Sequence, residues 1–205
     1  MKVIGLCGGS GSGKGAVSRI FLEYGIPTVD TDAVYRELTS GDGECMRALI
    51  RQFGEKIALS DGSLNRAELR KIVFSGADKD LRREKLNEIS HKFILDTTRD
   101  ILRAYRAEGR ELAAIDAPLL FESGFNRECD LTVAVVADSE TRIERIARRD
   151  GITRAEAQAR INTQIPDTQL MEMADFTIIN NSSLADLRES VSELLVKIKI
   201  QNRKL

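Results

Sequence analysis

The chain has 205 residues, 42% of them hydrophobic, which suits one compact domain with a sizeable core and excludes a disordered chain. Lys and Arg number 31 against 32 Asp and Glu, so the formal net charge of -1 creates no general attraction for nucleic acid or an anionic membrane. Apolar runs such as 133–137 are far too short to cross a bilayer.

Val3, Ile4 and Leu6 predict a buried strand that starts almost at once, without the basic start, apolar run and cleavage site of a secretory signal. Residues 14–24 carry Val17, Ile20, Phe21 and Tyr24 at helical spacing, and Gly25 with Pro27 ends that helix. Residues 27–30 predict a second short strand, completing a βαβ unit. From Asp32 to about His91 the chain turns polar and helical. Turn signals stand at 41–43 and 61–62, and Asn65 with Glu68 resembles a capping box, so a helical insertion is expected. A long helix is predicted over roughly 90–107, then strands over 112–116 and 131–136. Residues 138–150 predict a helix with Ile143, Ile146 and Ala147 on one face and Arg142, Arg145 and Arg149 on another. Thr153 and Glu156 cap the next helix, which runs to about Thr163. A fifth strand follows over 176–179, and Ser183 with Asp186 caps a final amphipathic helix. Strands alternating with helices predict an α/β fold: a five-stranded parallel sheet with helices on both faces. The three cysteines, Cys7, Cys45 and Cys129, are widely spaced, which argues against a disulfide framework or a zinc site and suits a reducing cytoplasm.

The strongest chemical signal is the run from Gly8 to Lys14, Gly-Gly-Ser-Gly-Ser-Gly-Lys, which matches the phosphate-binding loop G-x-x-x-x-G-K. Glycines let successive backbone N–H groups turn inward around phosphate oxygens, the helix N-terminus adds partial positive charge, and Lys14 reaches the outer phosphates. The loop follows an apolar strand and opens an amphipathic helix, the context the motif requires. Gly15 stands where Ser or Thr would offer a hydroxyl to Mg²⁺, and Ala16 after it has none either. A second signal is Asp30-Thr31-Asp32 with Arg36 one turn later, past the second strand at the carboxyl edge of the sheet. There Asp32 could accept a hydroxyl proton or orient Mg²⁺ through water; read alone, it would cap a helix.

With these residues in view, the chain resembles the dephospho-coenzyme A kinase family over nearly its whole length. The matching features are Gly8–Lys14, Asp30 and Asp32, Phe53-Gly54, Asp61-Gly62 with Arg66, Leu86-Asn87 with His91, Pro118-Leu119-Leu120 with Glu122, Arg149-Asp150 with Arg160 and Gln164, and Ala174-Asp175 with Asn180. Three positions depart: Gly15 and Ala16 replace a Ser-Thr pair, Lys92 replaces a proline after the histidine, and Cys7 replaces a threonine.

The resemblance implies a P-loop kinase of the nucleoside-monophosphate-kinase-like type. Its core would be 1–31, 92–140 and 165–205, its helical acceptor-binding insertion about 32–91, and its small helical lid about 141–164. The implied reaction is ATP-dependent phosphorylation of the ribose 3′-hydroxyl of dephospho-coenzyme A. The implied catalytic residues are Lys14, Asp32 and Arg149. ATP would be bound by Gly11, Ser12, Gly13, Lys14, Gly15, Ala16, Arg142, Arg160 and Asn180, with Asn180 near adenine and Arg142, Arg149 and Arg160 over the transferring phosphoryl. Spacing alone reads the arginines of 142–149 as a solvated basic face. The acceptor would meet Asp32, Arg36, His91 and Asp116. Mg²⁺ would be held through water by Asp32 and by Asp116, which ends an apolar strand like a Walker B acid. His91, the only histidine, reads equally as a buried residue. A cytoplasmic monomer without nucleic-acid or membrane partners is expected. Two other functions remain open: a nucleoside monophosphate kinase, and a nucleotide-binding module that lost turnover with the hydroxyls at 15 and 16.

Overall fold

The computed structural model describes residues 1–202, and side chains through residue 198. In chain order the elements are β1 (Lys2–Cys7), α1 (Lys14–Glu23), β2 (Thr28–Asp30), α2 (Thr31–Leu38), α3 (Glu44–Phe53), α4 (Arg66–Phe74), α5 (Lys79–Ala107), β3 (Leu112–Asp116), β4 (Leu131–Val136), α6 (Ser139–Asp150), α7 (Arg154–Asn162), α8 (Asp167–Met173), β5 (Phe176–Ile179) and α9 (Leu184–Asn202). Two compact units result, one of residues 1–29 with the chain from Tyr105 onward, the other of residues 30–104.

The first unit carries the sheet, in the order β2-β3-β1-β4-β5. The pairs β1–β3, β1–β4 and β4–β5 are parallel, and at the β2 edge the Ala114 amide donates to the Pro27 carbonyl (2.8 Å). Every residue of β3 and β4 is buried, because a parallel strand has helices over both faces and no solvent side to make polar. On one face, Ile4, Leu6, Val133 and Val135 form a single cluster with Val17, Ile20 and Phe21 of α1 and with Val191 and Ile198 of α9. Each such buried side chain contributes about 1.5–3 kcal/mol over its exposed state. The alternate residues Val3 and Cys7 are buried on the opposite face.

β1 lies beside both β3 and β4, and its connection leads to β2 at one edge while that of β3 leads toward β4 on the other side. The carboxyl ends of β1 and β3 therefore frame a topological switch point, where open α/β sheets form their ligand crevice. Register places Asp116, the last residue of β3, opposite Leu6, two residues before the glycine-rich loop.

The second unit has its own core, in which Cys45, Met46 and Leu49 of α3 pack with Ile57, Leu64, Leu69 and Val73. Its only sheet-like feature among the described residues is an isolated antiparallel bridge, Ala58 to Leu64, across the 61–62 turn. Four details differ from the sequence reading. α5 begins at Lys79 rather than near Ser90, its solvated first turns being too polar to show an apolar stripe. The second compact unit runs to residue 104, where the sequence places the end of the insertion near 91. α8, one buried leucine on a seven-residue helix, gives no readable periodicity. The cap of α2 is Asp30: its carboxylate accepts from the amides of Asp32 (2.9 Å) and Ala33 (3.1 Å), which leaves Asp32 in the first turn.

Candidate active site

The loop from Gly8 to Lys14 joins β1 to α1. Its turn is closed by the Ser12 amide donating to the Gly9 carbonyl (3.1 Å) and the Ala16 amide to the Gly13 carbonyl (2.8 Å). Gly13 caps α1 with φ 97°, and no side chain satisfies the helix N-terminus. A Cβ at Gly13 would collide with the Asn180 amide nitrogen, so the position needs glycine for room as well as for backbone angle.

The carbonyls of the loop are tied back from outside. The Arg142 Nε donates to the Ser10 carbonyl (2.9 Å), the Arg145 guanidinium to the Gly11 carbonyl (3.3 Å), and the Asn180 amide to the Ser12 carbonyl (2.8 Å). Carbonyl dipoles facing an anion would repel it. Anchoring them on these donors leaves the amide side of the loop and the N-terminus of α1 for phosphate oxygens. Ser12 is itself fully buried, so its part in such a cradle is through its backbone.

In this structure Arg142 and Asn180 are both engaged with the loop itself. Arg142 is 4% exposed and all three of its nitrogens are engaged: with Ser10, with Asp167 (2.7 Å) and with Gln164 (2.8 Å), which also accepts from the Ser10 amide (3.0 Å). It braces the loop with three of its five N–H donors. Asn180, buried just after β5, gives one amide N–H to the Ser12 carbonyl. Sequence spacing suggested a solvated stripe for these arginines, because nothing in a single helix reveals that another backbone lies over it.

Lys14 forms an ion pair with Asp116, and the Ser18 hydroxyl donates to the other oxygen of the same carboxylate. Ser18 also lies 3.2 Å from the Lys14 carbonyl. Sequence reasoning missed Ser18. The signal was its position four residues after Lys14, on the same helical face. Arg149 reaches the Ser10 hydroxyl (3.3 Å) and grips Asp150 through two nitrogens (2.7 and 2.9 Å), while Arg160 pairs with the same carboxylate. The two guanidinium groups hold the Asp150 carboxyl well below the usual carboxylate range. Gly15 faces open space, and Ala16 packs against the main core. Burial, reinforced by the Glu122 charge, pushes the Cys7 thiol up to about 12, so it offers no thiolate.

Asp32, Arg36 and His91 belong to the second unit. Asp32 is exposed at the start of α2 and does not cap it. Arg36 lies 3.8 Å from Asp30, an exposed pair of small worth. His91 is half-buried in α5, and burial pushes its imidazole below the ordinary histidine value. Arg66 lies over the Tyr35 ring, 5.8 Å from its centroid.

Comparison with known proteins agrees with this architecture. The family profile described as dephospho-CoA kinase matches residues 2–186. A dephospho-CoA kinase of Listeria monocytogenes is 40% identical over 190 residues, 93% of this chain and 94% of its own. One from Arabidopsis thaliana is 34% identical over 97% of this chain and 84% of its own. A Thermus thermophilus crystal structure superposes with TM-score 0.80 and 29% identity, covering 96% of this chain and 97% of that one. The dephospho-CoA kinase of Campylobacter jejuni (TM-score 0.71, 21% identity, 98% of each chain) shares the fold. A shikimate kinase of Acinetobacter baumannii does so more distantly (TM-score 0.55, 18% identity, 97% of this chain and 95% of that one). A match that spans the loop, the helical second unit and the carboxyl half at this identity places the chain in the dephospho-CoA kinase family.

Proposed function

We propose that the loop between β1 and α1 holds the phosphates of ATP and that Asp32 receives the proton of the acceptor hydroxyl. The activity is that of the family: the γ-phosphoryl group passes from ATP to the ribose 3′-oxygen of dephospho-coenzyme A, giving coenzyme A and ADP in the last step of coenzyme A synthesis. The bond to the β-phosphate bridging oxygen breaks, the bond to the 3′-oxygen forms, and the hydroxyl proton leaves.

The observation that carries the assignment of roles is the loop whose carbonyls are anchored outward while Lys14 waits on Asp116 at the N-terminus of α1. Lys14 exchanges Asp116 for the outer phosphates and offsets the charge that builds up during transfer. Arg149 and Arg160, already side by side on Asp150, are the guanidinium groups available to the phosphoryl oxygens, while Arg142 keeps the loop in shape. Asp32 is exposed and released from capping by Asp30, as a base for an incoming hydroxyl must be. Arg36 and His91 are assigned to the acceptor, and residues 30–104 to its binding.

The site carries a buried carboxylate, Asp116, to which the Ser18 hydroxyl donates. This carboxylate suits Mg²⁺, a hard ion bound chiefly through phosphate oxygens and water with one or two protein groups. Asp116 would hold Mg²⁺ through water, and the ion would supply neutralisation of the phosphate charge. Among the described residues no helix is long and apolar enough to cross a membrane. We assign the protein to the cytoplasm, as a monomer.

ATP consumption measured against dephospho-coenzyme A, AMP and CMP tests the reading, with turnover expected only on the first. Lys14→Ala should lower kcat by about a hundredfold or more, the scale of losing one such electrostatic contact. Near-normal turnover in that variant would sink the phosphate-loop assignment, and preferential use of AMP or CMP would make the chain a nucleoside monophosphate kinase.

A further inference from the structure

The loop lacks a hydroxyl at both positions after its lysine, yet a hydroxyl stands at the metal side of the site. Ser18 lies on the stripe of α1 that also carries Lys14 and Gly15, four and three residues before it. Its hydroxyl donates to one oxygen of Asp116 while the Lys14 ammonium holds the other. Asp116 is 7% exposed, so an unanchored carboxylate there would be poorly hydrated and free to turn. The ammonium hold is temporary, because Lys14 has to move to the phosphates when ATP binds. The Ser18 hold is permanent, because a serine on the second turn of a helix packed into the core does not swing to the nucleotide.

We propose that Ser18 is a positioning residue that takes over for the missing hydroxyl at position 15. It fixes the Asp116 carboxylate so that this group stays aligned to the magnesium-bound waters after Lys14 has left it. This rests on the phosphate-loop reading above. Position 18 is three residues, about 4.5 Å, further along the helix than the position next to the lysine. Ser18 therefore acts through Asp116 instead of on the ion. Three features of the chain agree. The hydroxyl oxygen also lies 3.2 Å from the Lys14 carbonyl one turn back, so its rotamer keeps it on the Lys14 side of the helix. Gly15 faces open space with no neighbour within 4 Å of a Cβ, so nothing steric demanded glycine there, and a hydroxyl could be returned to that position without a clash. Finally, Ser18 in a helix interior is an unfavourable choice relative to alanine unless its oxygen is used.

The test separates metal from nucleotide. ADP affinity is measured in EDTA, and Mn²⁺ affinity of the ADP complex by electron paramagnetic resonance, for wild type, Ser18→Ala, Ser18→Thr and the double variant Ser18→Ala with Gly15→Ser. We expect Ser18→Ala to weaken Mn²⁺ by fivefold or more with ADP affinity in EDTA within twofold. Ser18→Thr, which keeps the hydroxyl, and the double variant, which returns one to position 15, should each recover most of that loss. Mn²⁺ affinity within twofold of wild type in Ser18→Ala would overturn the proposal. So would a loss that neither Ser18→Thr nor the double variant repairs, which would mean that Ser18 only packs. A wild type that bound no ADP in EDTA would instead refute the phosphate-loop reading itself.

Discussion

Replacing Arg142 by methionine distinguishes a brace from a phosphate ligand. The side chain is 4% exposed, and methionine keeps the apolar stem while removing hydrogen bonds to the Ser10 carbonyl, Asp167 and Gln164. Breaking a buried ion pair by deleting one partner costs about 3–5 kcal/mol. Asp167 keeps 22% of its side-chain surface in water and can be rehydrated there, so the lower end, about 3 kcal/mol, applies. For a chain of this size each kcal/mol lowers Tm by about 2–4 °C, giving a fall of about 6–12 °C. Calorimetry of the ligand-free protein reads this directly. The KM for ATP should rise with it, because the Ser10 carbonyl is no longer drawn away from the phosphate side. A variant that kept its Tm within about 2 °C and lost only kcat would refute the argument and return Arg142 to the transferring phosphoryl.

Asp30→Ala should lose the cap of α2, about 1 kcal/mol, and lower Tm by about 2–4 °C; Asp32→Asn should leave Tm unchanged and reduce kcat far more than ATP affinity, and the reverse pattern would exchange their roles. Binding of a non-hydrolysable ATP analogue should slow amide exchange over residues 149–162 but leave 139–146 as it is, because Arg142, Ile143 and Ile146 are already buried; equal protection of both segments with and without analogue would count against a lid. His91 is the only histidine, with a folded-state pKa held below the ordinary value by burial. As pH falls below about 6.5 the unfolded chain takes up the proton first, so stability present above that pH is lost toward acid. His91→Gln should flatten the fall in Tm between about pH 7.5 and 5.5, and an unchanged slope would assign that pH dependence elsewhere.

The chain's own sequence determined where along the chain the five strands lie, the phosphate loop, and the caps at Thr153 and Ser183. Each is written in contiguous residues: β4 reads as six consecutive apolar-compatible positions because both its faces are covered, and a capping box needs two residues three apart. It likewise carried enough spaced motifs to point to the family. Tertiary structure alone decided which loop carbonyls the arginines and the asparagine hold. Arg142, Arg145 and Asn180 stand more than 130 residues from the loop carbonyls they hold, and only the closure of the sheet brings them under it. It also decided which aspartate caps α2, since Asp30 and Asp32 differ in backbone angle and not in chemistry. Ser18 shows the same limit: helical spacing places it one turn beyond Lys14, but its use depends on Asp116, delivered by a strand 98 residues later whose register with β1 no local pattern specifies.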